Sequence, residues 1–238
     1  MAQVINTNVA ALFAGAALNK SANMLQTAQS RLSSGLRINS AKDDATGLAI
    51  ATGYDSDIRG TNMAVRNSND AISKAQTNDG YAAQITENLQ RLREIAVQLG
   101  GTASGTETTA LVAENARLAG KTAAIGAVVT DGDGGTVTAL SAVIAAPTGV
   151  TVANIDTDIG TVSAARANYG ADMVTFGSVV SGLQNASVNL SASYSRIMDT
   201  DYAAETQNMT RNNILQQAGT AVLSQANQTP NSVLGLLR

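Results

Sequence analysis

The chain has 238 residues, a formal net charge of −3, and neither cysteine nor histidine. Those two absences exclude a disulfide framework, a thiol nucleophile, thiolate or imidazole metal ligands and the commonest general base. The slight acidity gives no reason to expect nucleic acid or an anionic membrane as partner. Aromatic residues are only 3% of the chain and tryptophan is missing, so Ala, Val, Leu and Ile carry the apolar content. Small side chains suit close helix–helix packing better than a thick core built on aromatic anchors. With two prolines in all, long stretches lack a helix breaker, and elongated helices are expected. No apolar run reaches the roughly 20 residues of a membrane span, and the opening segment, without a basic n-region, does not read as a Sec signal peptide.

In chain order, Val4, Ala11, Leu18, Leu25 and Leu32 recur at heptad spacing with Ile5 and Leu12 beside them, one apolar stripe on a helix reaching about Ser33. Gly35 offers a left-handed stop. A dense polar stretch follows, with Arg37, Lys42, Asp43 and Asp44. A second helical pattern starts near Asp44 or Ala45 and carries Ile58, Val65 and Ile72. It stumbles at Thr77-Asn78-Asp79-Gly80 and resumes in shifted phase at Ile85, Leu89, Leu92, Ala96 and Leu99. Gly100-Gly101 ends it. Ser104 to Val129 reads as a weaker third helix interrupted by Gly120.

The character then changes. Val128 to Leu140 places β-prone residues on both sides of Asp131-Gly132-Asp133-Gly134-Gly135, a hairpin signal. The run to Ala153 reads as strand or irregular structure. The longest regular pattern follows, through Ile159, Val162, Arg166, Tyr169, Met173, Phe176, Val180, Leu183, Ser187, Leu190, Tyr194 and Ile197. A heptad held so long describes a helix packed along its length against other helices. After Asp199 a last segment carries Met209, Ile214, Ala218, Val222 and Ala226. Thr229-Pro230 then reads as a cap and N1 proline opening a short final turn with Val233, Leu236 and Leu237.

Candidate chemistry is sparse. Lys42, Asp43 and Asp44 could hold a divalent cation or act as an acid–base pair, but two carboxylates without a third ligand make a poor site, and a helix N-terminus explains them. The Asp131 to Gly135 run has some likeness to acidic calcium loops yet lacks a distal Glu, so a turn is preferred. Asn88 to Leu99 is an amphipathic segment with Arg91, Arg93 and Glu94 on its polar side, readable as a solvated face or a docking surface. Sequons at Asn185, Asn189, Asn208 and Asn227 fall in expected helix and carry no weight. The terminal stripes matter more. Two long Ala/Leu helices with few aromatics bury little area and leave apolar flanks exposed, which assembly with identical copies resolves.

Four motifs then carry a resemblance: "MAQVINTNVAAL", "RLSSGLRINSAKDDATGLAIA", "NLQRLREIAVQL" and "SYSRIMDTDYAAETQNMTRNNILQQAGTAVLSQANQTPNSVLGLLR". Over about residues 1–118 and 155–238 the chain resembles bacterial flagellin, the filament subunit of the flagellum. The resemblance implies an inner core domain of paired terminal helices (1–42 and 200–238, with a linker at 34–42) and an outer tubular domain (43–199) of longer helices plus a hairpin or irregular segment at about 128–154. It implies a secreted protein, exported unfolded through the flagellar type III apparatus and incorporated into an extracellular filament. An export chaperone, the filament cap and hook-associated proteins are the implied partners, with no nucleic acid, membrane insertion or cofactor. The segment matching Ser34–Lys42 is the family's linker, so the charges there are joint and cap. The flagellin-sensing Toll-like receptor of animals docks on the segment matching Gln90–Gln98, which assigns Gln90, Arg91, Glu94, Ile95, Gln98 and Glu114 to that contact.

The expectation is thus an all-α, elongated coiled-coil-like bundle with a small β-hairpin and paired termini. It is no enzyme, and it polymerises through Val4, Ile5, Leu12, Leu18, Leu25, Leu32, Ile214, Val222, Val233, Leu236 and Leu237. Three departures from the family stand out. The loop Gly100–Thr106 is a residue shorter, a Phe-Asn-Gly segment is not evident, and Val174-Thr175-Phe176 stands where relatives have Asn-Arg-Phe. The rival readings are a hook–filament junction protein, a surface module binding a glycan or metal at Asp131/Asp133, and, least supported, an enzyme.

Overall fold

The computed structural model describes residues 7–122, 124–129, 135–140, 143–147 and 150–235. Among them are five helices, α1 (Val9–Ser34), α2 (Ala45–Gln98), α3 (Thr106–Ala119), α4 (Val152–Met198) and α5 (Tyr202–Gly235), and two short strands, β1 (Ala127–Val129) and β2 (Thr136–Thr138). The chain divides into two compact units, Met1–Gly53 with Ser193–Arg238, and Tyr54–Ala192.

In the first unit α1 lies against α5. Along α1 the seam is Ala11, Ala14, Leu18, Ser21, Leu25, Ala28 and Leu32, all buried or partly buried. The facing positions on α5 are Glu205, Met209, Asn212, Gln216, Gly219, Leu223 and Ala226. Both sets step by alternating threes and fours, as coiled-coil seams do. Small residues bring the backbones close: a Cβ added at Gly219 would stand 3.2 Å from Leu18 Cδ1. The α5 line expected through Ile214, Ala218 and Val222 is therefore corrected, because those three are exposed and the seam lies one face round. Polar and small side chains fill the true seam, so a search for bulky apolar periodicity selects the wrong face.

The expected break at Thr229-Pro230 is also absent, since α5 continues to Gly235. Proline lacks the N–H that would reach the carbonyl four residues back, Ala226. That carbonyl accepts instead from Asn8 Nδ2 at 2.8 Å, while Asn8 Oδ1 accepts from Ala11 N at 3.0 Å and caps α1. One side chain therefore starts α1 and satisfies the oxygen that the proline orphans.

The linker is a folded joint. α1 ends on Gly35 in the left-handed region at φ 74°, its N–H bonded to the Arg31 carbonyl. Arg37 N donates to Met198 O at 2.6 Å, and Thr200 N to Gly35 O at 2.9 Å. The Arg37 guanidinium donates from Nε and Nη2 to Ile197 O, so it caps the end of α4. Ile38 is buried with Ala51 and Met198 in a small core of its own. The two aspartates divide the labour. Asp44 Oδ1 accepts from Gly47 N at 2.8 Å and caps α2. Asp43 Oδ2 turns back to accept from Ser40 Oγ, Ser40 N and Asn39 N. The Ser40 hydroxyl, then the two amides, hold the Asp43 carboxyl below the usual carboxylate range.

In the second unit the core runs along α2 and α4. The seam of α2 follows Thr61, Ala64, Ser68, Ala71, Ala75, Asn78, Ala82, Ile85, Leu89, Leu92 and Ala96, all buried. This is one unbroken heptad, so the expected phase shift near Thr77–Gly80 does not occur. Asn78 sits in phase, and Ala, Ser and Thr carry the seam where Ile58, Val65 and Ile72 merely flank it. On α4, Ile155, Val162, Tyr169 and Phe176 join the same cluster. Arg166, the charged residue within that pattern, pairs with Asp79 at 2.8 Å. Burial, then the nearby Asp172 and Asp79 carboxylates, raises the Tyr169 hydroxyl above its ordinary pKa.

The third helix stops at Ala119 rather than continuing to Val129. Gly120 follows, and Thr122 Oγ1 donates to Ala119 O at 2.7 Å while accepting from Ile144 N at 3.2 Å, which turns the chain into the irregular segment. β1 and β2 pair antiparallel in the register Val128↔Val137. The turn carrying Asp131 and Asp133 lies outside the described residues, and among the described ones no three His, Cys, Asp or Glu side chains form a metal-binding group.

Candidate assembly interface

A helix pair closes its seam with its larger apolar side chains, because those bury most area. The first unit departs from that rule. Its seam mixes alanines, a serine and a glycine with polar residues, Met209 and four partly buried leucines, while at least as many large apolar residues point outward. Phe13 is 78% exposed, Leu12 66%, Ile214 61% and Val222 54%, and Val9, Met24, Tyr202 and Leu215 are also exposed. A shallow trough along α5, lined by Tyr202, Thr206, Thr210, Ile214 and Leu215, offers about 750 Å³. Contiguous outward apolar faces of this kind mark interaction surfaces.

The expected polymerisation residues thus occupy two environments. Leu18, Leu25 and Leu32 are partly buried in the α1–α5 seam, and Leu12, Ile214 and Val222 stand on the free faces. Val4, Ile5, Leu236 and Leu237 lie outside the described residues, as does the side chain of Val233. Sequence reasoning passed over Phe13, Met24, Tyr202 and Leu215. The available signal was one of the chain's two phenylalanines standing off the heptad line.

The residues assigned to receptor docking are in the second unit. Gln90, Arg91, Glu94 and Gln98 are exposed on α2, and Glu114 on α3 is partly exposed. Ile95 is 8% exposed and belongs to the core beneath them. Arg91 Nε donates to Glu107 Oε1 at 2.8 Å and Nη1 to Glu94 Oε2 at 3.1 Å, which raises the guanidinium pKa further. Glu114 binds Arg117 through two hydrogen bonds, which lower its carboxyl pKa. A buried bond from Asn88 Nδ2 to Asn115 Oδ1, 2.8 Å long, sets α3 against α2.

These helices match known proteins. The model of the bacterial flagellin N-terminal helical region matches residues 5–131, and that of the C-terminal helical region matches residues 152–237. The chain belongs to the bacterial flagellin family. It is 38% identical to a flagellin of Xenorhabdus nematophila, with all of both chains covered, and 36% identical to one of Halalkalibacterium halodurans over 99% of this chain and all of that one. It is also 36% identical to the flagellar filament 33 kDa core protein of Treponema phagedenis, over 99% of this chain and all of that one. A flagellin is a structural protein with no enzymatic activity. It polymerises with its own copies into the extracellular flagellar filament that drives motility. The two family regions leave only residues 132–151 between them, so this flagellin inserts no further outer domain there. No helix among the described residues is long and apolar enough to cross a membrane.

Proposed function

We propose that this flagellin polymerises through the outward faces of α1 and α5, with Leu12, Ile214 and Val222 packing against neighbouring copies and Leu18, Leu25 and Leu32 holding the two helices together. Val4, Ile5, Val233, Leu236 and Leu237 are assigned to the same polymerising surface. The large apolar side chains left exposed outside the α1–α5 seam carry this reading. Burying one such side chain contributes about 1.5–3 kcal/mol, against an association cost of about 4–15 kcal/mol, so several must be buried at once in each contact. A heterologous contact that does not close into a ring grows as a helical fibre. The inner domain is assigned to 1–42 and 200–238 and the outer one to 43–199. Seeded growth of the purified full chain, followed by electron microscopy, tests the assembly. Long fibres are expected, and concentrated, seeded protein that remains as single molecules would overturn it.

Finer roles follow the family resemblance. The chain is exported unfolded through the flagellar type III apparatus, for which a cysteine-free chain with small-residue seams is suited, since nothing covalent must be undone before threading. An export chaperone, the filament cap and hook-associated proteins handle it before and during growth. The exposed set Gln90, Arg91, Glu94 and Gln98 with Glu114 serves the animal flagellin-sensing Toll-like receptor, and Ile95 supports it from below. Arg91→Ala is expected to weaken receptor binding in a direct binding assay about tenfold or more, in line with an interface arginine, without altering polymer growth. Unchanged receptor affinity would remove Arg91 from that contact.

A further inference from the structure

Among the described residues Arg31 is partly covered yet donates no hydrogen bond, and its one ion pair is long, whereas Arg211 of the same unit is exposed. The Arg31 side chain is largely covered, with 29% exposed, and its Nε is buried without a hydrogen-bond acceptor. The ion pair described for it, Nη1 to Glu205 Oε2, is long at 3.8 Å. Arg37, by comparison, places two donors on one carbonyl. A guanidinium presents five N–H groups in a rigid fork suited to two carboxylate oxygens, and a covered charge short of acceptors is destabilising.

Two grooves converge on this side chain. One of about 650 Å³ runs between α1 and α5 with Lys20 and Arg211 on its walls, and another of about 660 Å³ lies between α1 and the linker with Lys42 on its wall. The carboxylates near them are occupied. Glu205 is buried at its long pair, and Asp43 is taken by Asn39 and Ser40. These carboxylates keep their charge, but Lys20, Arg31, Lys42 and Arg211 outnumber Glu205 and Asp43 on the two linings, so the grooves are net positive in a chain whose 18 carboxylates outnumber its 15 cations. Met24 and Leu215 line the first groove, so it is continuous with the outward apolar face. Charge and continuity together select a second copy of the chain as occupant.

We propose that a carboxylate of a second flagellin copy enters the groove during assembly and accepts from the Arg31 Nη groups, partnering the guanidinium and setting the register between subunits. This deepens the assembly reading and rests on it. The test compares the critical concentration for seeded growth of the full chain at low and high NaCl, by sedimentation, for Arg31→Met, Arg31→Lys and Glu205→Gln, with helicity checked by circular dichroism. Arg31→Met keeps the aliphatic stem and is expected to raise the critical concentration about tenfold and to flatten its salt dependence, as loss of an interfacial charge pair does. Arg31→Lys should raise it severalfold while keeping the salt dependence, and it decides the matter if Arg31→Met loses helicity. Glu205→Gln removes only the pair within the chain and should raise the critical concentration less than Arg31→Met does.

Parental behaviour of Arg31→Met overturns the proposal, as does a rise in Glu205→Gln equal to that in Arg31→Met, which would make the pair purely intramolecular. Stoichiometric binding of inorganic phosphate to the monomer, lost in Arg31→Met, would overturn it in favour of a free anion. Should the Arg31 variants grow normally while aspartates at Ile214 and Val222 still block growth, the groove is excluded and the assembly face stands.

Discussion

Substituting Ile214→Asp and Val222→Asp together is expected to raise the critical concentration for filament growth more than a hundredfold, leaving the monomer intact. Both side chains are exposed on α5, at 61% and 54%, and neither belongs to a core cluster. Their replacement removes little from the isolated subunit, and exposed substitutions of this kind usually change stability by about 0.5 kcal/mol or less. In the filament each would forfeit about 1.5–3 kcal/mol of burial and leave a carboxylate facing apolar surface. Two such losses exceed about 3 kcal/mol, and each 1.4 kcal/mol is roughly tenfold in association. Sedimentation of seeded protein measures the effect, with far-ultraviolet circular dichroism as the control on helicity. Growth at the parental concentration would show that this face of α5 stays in solvent.

Phe176→Ala has the opposite profile, a large loss of stability from one side chain in the second unit. Phe176 is fully buried in the cluster that includes Leu89, Leu92, Val162 and Tyr169. Truncating a core phenylalanine costs about 3–5 kcal/mol, the spread reflecting how far the cavity collapses. In a chain of this size about 1 kcal/mol moves Tm by roughly 2–4 °C, so calorimetry should show a fall on the order of 10 °C. Val174→Ala, two residues away on the 75% exposed side of α4, supplies the control and should leave Tm unchanged. Within Val174-Thr175-Phe176, the aromatic residue is thus the one inside the core, while Val174 faces outward. Equal effects of the two substitutions would contradict the burial of Phe176.

Much of this architecture was legible in the residues themselves. The α4 heptad from Ile159 to Ile197 was readable because its seam is built from large apolar side chains, and every position in it is buried or partly buried. The stop at Gly35 and the cap at Asp44 were readable because each is a local event, a left-handed residue and a side chain reaching an amide within one turn. The hairpin flanks were readable from β-prone residues around a glycine-rich turn. The family, too, was visible in four motifs before any coordinates.

The amino-acid sequence by itself thus determined the helical class, the existence of each long helix, the β-prone segments that form β1 and β2, and membership of the flagellins. These depend on local propensity, short-range capping and bulky periodicity, which neighbouring residues in the chain suffice to express. Only the tertiary structure decided which face of α5 is seam and which is free, that α2 keeps one phase through Asn78, and that α5 continues through Pro230. The same holds for the incomplete coordination of Arg31. Each depends on what stands across the contact: Leu18 over Gly219, Asn8 on the Ala226 carbonyl, Glu205 just too far from a guanidinium. Small residues are chosen for the distance they permit between backbones, and that distance belongs to a pair of helices rather than to either sequence alone.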